Sequence, residues 1–319
     1  MSALPRVSVV VPCFNTERYI AATLRAVLAQ AGAELEVIVV DDGSTDGSAA
    51  LVEREFPQVR LIRRANAGVA AARNAGIAAA TARWVAFCDA DDIWLPDKLV
   101  AQFEAMAAMP GCRMSYAAWQ VWPSDEAAPD PALLEQVAAE SQDTPRWAGA
   151  TGWLYPELLL DCVVWTSTVL MRRDLLDEIG GFDTELRIGE DYDLWLRASR
   201  VTRIERVARP LALYRKHPAS ITRSAPRDNY RGRVVQRAVD TWGLAGPDGR
   251  QADAAAVRER LAGSWSEFAY AQLQAGQRAA ARRSARQALR VQPGHWPGWK
   301  LLLRSWLPGE GRAALRSAS

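Results

Sequence analysis

Three apolar runs near the start of the chain constrain its fold more than any other feature of the sequence. They lie within Arg6–Asn15, Leu35–Ser48 and Arg83–Asp92, and a shorter run begins at Val59. Their apolar residues follow one another without alternation, which is typical of strands buried on both faces of a parallel sheet. Helical patterns separate the runs, so the sequence predicts an α/β fold with a mostly parallel, twisted sheet flanked by helices. The expected helices are Glu17–Gln30, Ser44–Glu55 and Gly68–Ala80.

Polar side chains follow each long run at the point where the strand ends. Asn15 follows the first run, Asp41 and Asp42 follow the second, and Asp89 and Asp91 follow the last. Carboxyl ends of parallel strands lie along one edge of a sheet, where open α/β sheets bind their ligands. The sequence therefore predicts one acidic cleft built from distant residues. No glycine-rich dinucleotide motif follows a strand and no P-loop motif is present, so those two functions lose support.

The stretch WVAFCDADDIWLPDKL, Trp84 to Leu99, places three acids directly after a strand. Asp89 and Asp91 are two residues apart, which puts both side chains on one side of an extended chain. Mg²⁺ and Mn²⁺ prefer such oxygen ligands and usually share them with substrate phosphates. The alternative is a solvated turn in which Asp92 caps the next helix. The position at the carboxyl end of a strand favours the cation site.

Composition narrows the class of protein. The chain has 319 residues, 49% of them hydrophobic, and a net charge of +2. These values predict one large domain with a smaller appendage, and they argue against a nucleic-acid partner. The four cysteines form no CxxC pair and predict buried, reduced thiols. Met1 leads almost directly into a strand and no apolar run is as long as a membrane span, so we expect a cytoplasmic protein.

The pattern changes after the last of these strands. Pro123 to Gly152 is rich in proline and acids, which predicts a loop with one short helix. Strand and helix signals then resume, with a helix at Gly189–Arg200, and we expect Asp193 and Glu205 to be solvated. After about Ser224 the composition shifts to arginine, alanine and glutamine, and a helical pattern continues to the end of the chain.

The C-terminal region contains two helical features. Ala269–Gly294 resembles a single hairpin of the tetratricopeptide type, and a docked hairpin is favoured because one such unit cannot bury its own face. Further on, one helical face between Pro297 and Pro308 carries large apolar residues beside two cations. This face suits peripheral contact with an anionic membrane, at the inner side of the plasma membrane. Packing on the hairpin is favoured, because the two prolines leave only about three turns. The residues of this face are Trp299, Leu302, Leu303 and Trp306, flanked by Lys300 and Arg304.

Six short motifs occur in a fixed order: VSVVVPCFNTERYI, EVIVVDDGSTDGS, NAGVAAARNAGI, FCDADD, GGFD and GEDYDLWLRA. Together they resemble the bacterial family-2 glycosyltransferases, whose GT-A fold is Rossmann-like, over roughly Val7 to Thr222. The resemblance implies a catalytic domain over residues 1–224, with a nucleotide-binding half at 1–115 and an acceptor half at 116–224. The helical region over 225–319 lies outside it.

The resemblance also implies an activity. Such enzymes move a sugar from a nucleotide-diphosphate sugar, most often UDP-linked, to an acceptor hydroxyl with inversion at the anomeric carbon. The cofactor would be Mg²⁺ or Mn²⁺. The acceptor would be a carbohydrate, a lipid-linked sugar or a protein, in the synthesis of bacterial surface polysaccharides or glycoconjugates.

By match to the motifs, Pro12, Asn15 and Glu17 would line the nucleotide site. Asp42 would face the base, with Asp41 nearby. The alternative for these two acids is a turn and a helix cap, because GSTDG follows them directly. Their place at a strand end favours the ligand role.

Three further matches would lie near the phosphates or the sugar. Arg73 and Asn74 would lie near the diphosphate or the acidic edge, and Gly181 would approach the donor sugar or the acceptor. Arg73 could instead pair with an acid of the sheet edge. The pair Gly180–Gly181 could also be a helix C-cap.

The remaining matches concern the metal and the chemistry. Asp89 would contact ribose or metal, and Asp91 would hold the metal that bridges the diphosphate oxygens. His217 resembles a late histidine that binds metal or phosphate, although a lone histidine is often structural. Asp191 would be the catalytic base, with Glu190 beside it in the same catalytic motif. A first-turn position favours an ionised carboxylate, which a base must be.

Two other functions compete with transfer. A nucleotidyltransferase usually carries a glycine-rich, basic loop after the first strand, and PCFNTERYI lacks one. A catalytically silent nucleotide-sugar-binding protein is the other alternative. The presence of both Asp91 and Asp191 argues against it.

Overall fold

The computed structural model describes residues 4–140, 150–218 and 228–307. The backbone divides into an N-terminal unit, Met1–Arg223 with Trp242–Ala252, and a C-terminal unit, Ser224–Thr241 with Asp253–Ser319. The sequence analysis assigned all of 225–319 to one helical region, whereas Trp242–Ala252 belongs with the N-terminal unit. Residue 224 and the middle of the predicted acidic loop, 141–149, lie outside the described residues.

One eight-stranded sheet forms the centre of the N-terminal unit. Its strands are β1 (Arg6–Cys13), β2 (Glu34–Asp41), β3 (Arg60–Arg63), β4 (Trp84–Phe87), β5 (Ile93–Trp94), β6 (Met114–Trp122), β7 (Leu170–Arg172) and β8 (Ile204–Arg215). Across the sheet they are ordered β3-β2-β1-β4-β7-β6-β8-β5. The predicted fold class is confirmed: the sheet is a mixed α/β sheet with flanking helices.

Parallel pairing is concentrated in the first part of the sheet. β1 pairs in parallel with β2 and β4, and β2 pairs in parallel with β3. β7 enters antiparallel to both β4 and β6, whereas β6 and β8 are parallel. The predicted strand Arg83–Asp92 is shorter than expected. It stops at Phe87, because the acids form a turn before β5, which pairs antiparallel with β8.

Helices connect the strands of the N-terminal unit and flank its sheet. The three expected helices are present, each beginning one to four residues later than expected. The helices are α1 (Ile20–Leu28), α2 (Ser48–Glu55), α3 (Val69–Ala79), α4 (Lys98–Ala107), α5 (Pro131–Glu140), α6 (Tyr155–Leu158), α7 (Arg173–Ile179) and α8 (Glu190–Ala198). A 3₁₀ turn spans Thr166–Thr168. Cys13, Cys88 and Cys112 are buried and Cys162 is partly buried, all as free thiols.

The C-terminal unit is helical. Its helices are α9 (Tyr230–Trp242), whose last residue is grouped with the other unit, α10 (Ala254–Gln274), α11 (Arg278–Val291) and α12 (Trp296–Arg304). The predicted hairpin corresponds to α11 and the end of α10, which begins earlier because Asp253 accepts hydrogen bonds from the first-turn amides of Ala255 and Ala256. In the part of the chain that the structure describes, no helix is both long and apolar enough to cross a bilayer.

The face predicted on α12 packs differently from expectation. Leu301 is buried with Ala269 and Ala285, and Leu302 packs beside them. Trp299, Leu303 and Trp306 are exposed, so the favoured packing of that face on the hairpin is wrong for three of its four residues. Helix α12 turns Leu301 toward the neighbouring helices, and the tryptophans therefore point away.

We predict that Gly76→Ala destabilises the protein, because a Cβ at Gly76 would lie 2.3 Å from Cγ1 of Val10 in β1. Overpacking of this kind costs about 1–3 kcal/mol, more than the helix propensity of alanine returns. The control is Gly263→Ala in α10, where a Cβ would meet no atom within 4 Å. In thermal unfolding, only Gly76→Ala should have a melting temperature below that of the wild type. An unchanged value for Gly76→Ala would contradict the close packing of α3 on β1.

Candidate active site

A buried arginine joins two acids that lie far apart in the sequence. Arg73, in α3, is 3% exposed. Its Nη1 lies 2.6 Å from Oε1 of Glu190, and its Nη2 lies 2.6 Å from Oδ1 of Asp89. Burial would lower the pKa of Arg73, but Asp89, Glu190 and Asp191 raise it above its ordinary value, so the guanidinium stays charged. The arginine thus pairs with acids of the sheet edge, and a phosphate contact stays a prediction.

One guanidinium does not balance this acidic cluster. Burial raises the pKa of Asp89, against the opposing effect of Arg73. Burial and the neighbouring Asp91 and Asp89 raise the pKa of Asp92 well above its usual range. Burial, followed by Asp191, raises the pKa of Glu190 to about 7. Each shift disfavours the charged form, and a bound cation would oppose each of them.

Asp91 and His217 meet beside this cluster. Oδ2 of Asp91 lies 3.0 Å from Nε2 of His217, although 126 residues separate them. A carboxylate with an imidazole suits Mn²⁺ and, through the oxygens, Mg²⁺. Residues 4–140, 150–218 and 228–307 contain no group of three or more acid, histidine or cysteine ligands that could hold an ion by itself. The donor set therefore fits an ion that completes its shell with substrate phosphates, as Mg²⁺ usually does.

Asp92 is a buried hub, so the alternative of a solvated turn in which Asp92 caps the next helix is wrong. It is 1% exposed, and its carboxylate accepts hydrogen bonds from Ser167 Oγ, from Trp165 Nε1 at 3.1 Å and from the Arg215 amide at 3.0 Å. Helix α4 begins instead after Asp97. A carboxylate this deeply buried needs several donors, and the segment Trp165–Ser167 and strand β8 supply them.

Trp165, Thr166 and Ser167 connect the acidic turn to Asp191. Thr166 Oγ1 donates to Oδ2 of Asp191 at 2.8 Å. Ser167 Oγ accepts from the Asp89 amide at 3.0 Å and donates to Asp92. The sequence analysis did not select this segment. The available signal was WTST, four residues with polar groups inside an apolar run that continues to Met171.

Arg215 is a second residue that the sequence analysis missed. Its side chain is fully buried, with Nε 2.7 Å from the Asp91 carbonyl oxygen. Its Nη1 donates to the Glu126 carbonyl oxygen. The guanidinium stacks over Trp122, 4.1 Å from the ring centre. Arg215 therefore fixes the backbone of the acidic turn against β8 and the loop after β6.

Two of the predicted nucleotide-site residues bond the loop after β1 to the loop after β2. Asn15 has φ of 52° and is exposed, and its Oδ1 accepts from the Thr45 amide at 2.8 Å. Oε2 of Glu17 accepts from the Gly47 amide at 2.9 Å. Pro12 is buried in β1, where it pairs with β2. These loop-to-loop bonds explain the late starts of α1 and α2.

Asp41 and Asp42 use their carboxylates inside the fold. Oδ1 of Asp41 accepts from the Ser44 amide at 3.1 Å, a turn contact. Oδ2 of Asp42 accepts from the Gly68 amide at 2.7 Å, and its Oδ1 lies 3.2 Å from Nε of Arg64. With Asp42 only 3% exposed, its carboxylate holds the start of α3. Its contact with a base stays a prediction.

Asn74 holds the GGFD loop. Its side chain exchanges two hydrogen bonds of 2.8 Å with the backbone of Phe182. A Cβ at Gly181 would lie 2.4 Å from Oδ1 of Asn74, so this position requires glycine. Gly180, with φ of 77°, ends α7. Asn74 therefore positions Gly181, and a diphosphate contact by Asn74 stays a prediction.

The expected solvation of Asp193 is wrong. Asp193 is 6% exposed, and its Oδ2 lies 2.9 Å from Arg197. Nη2 of Arg197 donates to the Gly181 carbonyl oxygen at 2.8 Å. The acid is buried because it orients the arginine that fixes this loop. Glu205 is half-buried in β8, and burial raises its pKa.

Comparison with known proteins agrees with this geometry. The family model described as Glycosyl transferase family 2 matches residues 8–142. WfgD of Escherichia coli, a UDP-Glc:α-D-GlcNAc-diphosphoundecaprenol β-1,3-glucosyltransferase, is 30% identical over 192 residues, which are 60% of this chain and 68% of WfgD. The chain covers 55% and 63% of the length of two further curated relatives.

Two solved structures share the fold. Staphylococcus aureus TarS in complex with UDP-GlcNAc has a TM-score of 0.60 and 20% identity, over 90% of this chain and 82% of that chain. The mannosyltransferase PcManGT of Pyrobaculum calidifontis, in complex with GDP-Man and Mn²⁺, has a TM-score of 0.54 and 21% identity, over 95% and 80% of the two chains.

The fold is that of a GT-A glycosyltransferase. The chain belongs to glycosyltransferase family 2. The predicted family, fold and enzyme class are thereby confirmed.

We predict that Ser167→Ala lowers the free energy of unfolding by about 1–3 kcal/mol, because the Asp89 amide and the Asp92 carboxylate each lose a partner. The control is Ser199→Ala. Ser199 is equally buried, but its hydroxyl only donates to the Leu196 carbonyl oxygen of its own helix. Chemical denaturation of both variants should show a smaller loss for Ser199→Ala. Equal losses would mean that Ser167 makes no special link.

Proposed function

We propose that this protein is an inverting, metal-dependent glycosyltransferase. It moves a sugar from a UDP-sugar to an acceptor hydroxyl. The carrying observation is the contact of Asp191 with Thr166, within the segment that also binds the acidic turn. This arrangement brings a carboxylate base and a cation site into one polar network.

Proton removal falls to Asp191. An alcohol is a poor nucleophile, so a carboxylate within hydrogen-bonding reach should take its proton during attack. Asp191 lies in the first turn of α8, at the positive end of the helix dipole. The Thr166 hydroxyl holds one carboxylate oxygen, which orients the acid toward its task. The proton leaves the acceptor oxygen as that oxygen bonds the anomeric carbon and the nucleoside diphosphate departs.

The leaving group gathers negative charge on its phosphate oxygens. Asp91 and His217, with Asp89 on the same turn, would hold the metal together with the substrate phosphates, and the metal when bound would stabilise that charge. Arg73 holds Asp89 in place and opposes the rise in the pKa of that carboxyl. Arg215 fixes the backbone that carries Asp91. These residues organise the site for the diphosphate.

We propose inversion because the carboxylate next to the base is already engaged in an ion pair. Glu190, expected beside the base, is 5% exposed and paired with Arg73, so it supports the site instead of attacking the sugar. Retention by double displacement requires a carboxylate that reaches the anomeric carbon. Because Glu190 is paired with Arg73, we propose a single displacement, which inverts the anomeric carbon.

Substrates are proposed from the relatives. WfgD uses UDP-Glc and a lipid-linked GlcNAc, and TarS binds UDP-GlcNAc, which favours a UDP donor here. PcManGT binds GDP-Man, so GDP is the competing nucleotide. The acceptor would be a carbohydrate, a lipid-linked sugar or a protein of surface polysaccharide synthesis. We propose a cytoplasmic location, at the inner face of the plasma membrane.

We predict that Asp191→Asn lowers turnover by about two to four orders of magnitude, because asparagine keeps the shape of aspartate but cannot accept the proton. UDP release from a UDP-sugar measures turnover, and calorimetry measures donor binding, which should be unchanged. The control is Asp174→Asn, a first-turn acid of α7 with an exposed side chain. It should turn over normally.

The rival interpretation is that Asp191 only caps α8. It predicts near-normal turnover and a loss of at most about 1 kcal/mol in stability. Measuring melting temperature and turnover on the same sample decides between the two. A fully active, slightly less stable Asp191→Asn would make the base assignment wrong.

We predict that UDP raises the melting temperature only when Mn²⁺ or Mg²⁺ is present, because the diphosphate and Asp91 share the ion. Ligand at about 100 times its Kd stabilises a protein by about 2.7 kcal/mol, which a thermal shift readily detects. Asp91→Asn should lose the shift, Asp174→Asn should keep it, and GDP should give a smaller one. Undiminished stabilisation by UDP in EDTA would sink the metal assignment. A larger shift with GDP would refute the UDP donor.

A further inference from the structure

The C-terminal unit carries a compact apolar surface. On α12 and the two residues that follow Ser305, the exposed large apolar side chains recur at helical spacing. Trp306 and Leu303 are 63% and 62% exposed. At 100° per residue these side chains fall within about one third of the helix circumference. The members of this apolar face are Trp296, Trp299, Leu303, Trp306 and Leu307.

The apolar face continues into a groove on the same unit. The groove has a volume of about 530 Å³ and lies between α10 and α12. Its walls include Tyr270, Pro297, Leu301 and Leu303. Soluble proteins rarely leave apolar surface contiguous on this scale unless it binds something.

Cations interleave with these aromatic rings. The Lys300 ammonium lies 5.6 Å from the centre of the Trp296 ring, and the Arg282 guanidinium lies 4.5 Å from that of Trp306. Nη1 of Arg282 also donates to the Ser305 carbonyl oxygen at 2.9 Å, which fixes α11 against the end of α12. Basic side chains therefore border the apolar face.

Helix α11 extends this positive charge. Arg278, Arg282, Arg286 and Arg290 recur every four residues, which places them along one side of the helix. Residues 254–307 contain nine lysines and arginines but only two acids, whereas the whole chain has a net charge of only +2. Positive charge is thus concentrated on the unit that carries the apolar face.

We propose that this face is a docking surface for an anionic phospholipid bilayer. Tryptophan prefers the boundary between headgroups and acyl chains, because its ring is apolar and its N–H is polar. Lysine and arginine beside it meet lipid phosphates, while their methylene stems cover apolar surface. The groove and the leucines enter the acyl region, and α12 lies in the plane of the interface.

Charge decides between this partner and a second copy of the chain. In a symmetric dimer built on this face, the arginines of α11 in one copy would lie close to those of the other. Like charges across an interface are unfavourable. An anionic bilayer satisfies both the apolar and the cationic parts of the surface. The inference does not depend on the catalytic assignments, because none of its residues lies in the N-terminal unit.

The apolar part is tested by sedimentation of the full chain with vesicles of phosphatidylglycerol and phosphatidylcholine in equal parts. Wild type should sediment with them, and far less with vesicles of phosphatidylcholine alone. Leu303→Glu should weaken partitioning at least about tenfold, because it removes a buried leucine from the bilayer and adds a like charge. The control is Leu4→Glu, an exposed leucine of the N-terminal unit, which should bind as wild type does.

The charge part uses Arg286→Gln with Arg290→Gln. Each lost arginine should weaken partitioning about fivefold, and added salt should weaken the binding of wild type. The control is Arg54→Gln with Arg63→Gln, two exposed arginines of the N-terminal unit, which should not change it. Metal-dependent thermal shifts with UDP should be unchanged in all of these variants.

Three outcomes would overturn the proposal. They are absence of sedimentation with the anionic vesicles, equal binding to the neutral and anionic vesicles, and equal effects of the Leu303 and Leu4 substitutions. Light scattering measures the oligomeric state and so tests whether the face binds a second copy of the chain instead. A dimer that Leu303→Glu dissociates, together with no vesicle binding, would assign the face to a protein partner.

Discussion

The ion pairs of Arg73 with Asp89 and Glu190 hold the active site together. They join α3, the turn after β4 and the start of α8 at contacts of 2.6 Å with the guanidinium almost fully buried. Removing one partner of a buried pair strands the other charge, which typically costs about 3–5 kcal/mol. Because Asp191 directly follows Glu190, the same contact also fixes the position of Asp191, the proposed base.

A second set of polar contacts fixes the positions of the acids in the site. The segment from Trp165 to Ser167, which leads into the 3₁₀ turn, bonds Asp89, Asp92 and Asp191, and Arg215 holds the acidic turn through its backbone. Buried networks of this kind are favourable only when every member is satisfied, so they fix one arrangement. A glycosyltransferase needs that rigidity, because its base and its cation site act on the same short-lived charge distribution.

The two units differ in the charge and the apolar surface that they carry. Acids concentrate at the sheet edge of the N-terminal unit, whereas arginines and exposed tryptophans concentrate on the C-terminal unit. The near-neutral overall charge conceals this separation. A nucleotide sugar and a lipid surface are both anionic, and we propose that a cation among the acids binds the first and that the arginines bind the second.

The sequence by itself determined the sheet, the family and the location of the acids, because strand periodicity and strand ends are local properties. It also placed Asp91, His217 and Asp191 among the candidates. Only the tertiary structure decided their partners: that Arg73 meets two carboxylates, that Asp92 is a hub, and that Thr166 donates to Asp191. Those contacts join residues separated by 16 to 126 positions, and side-chain direction at such a distance depends on packing. It also decided that the tryptophans of α12 face outward, because helical periodicity identifies a face but not what covers it.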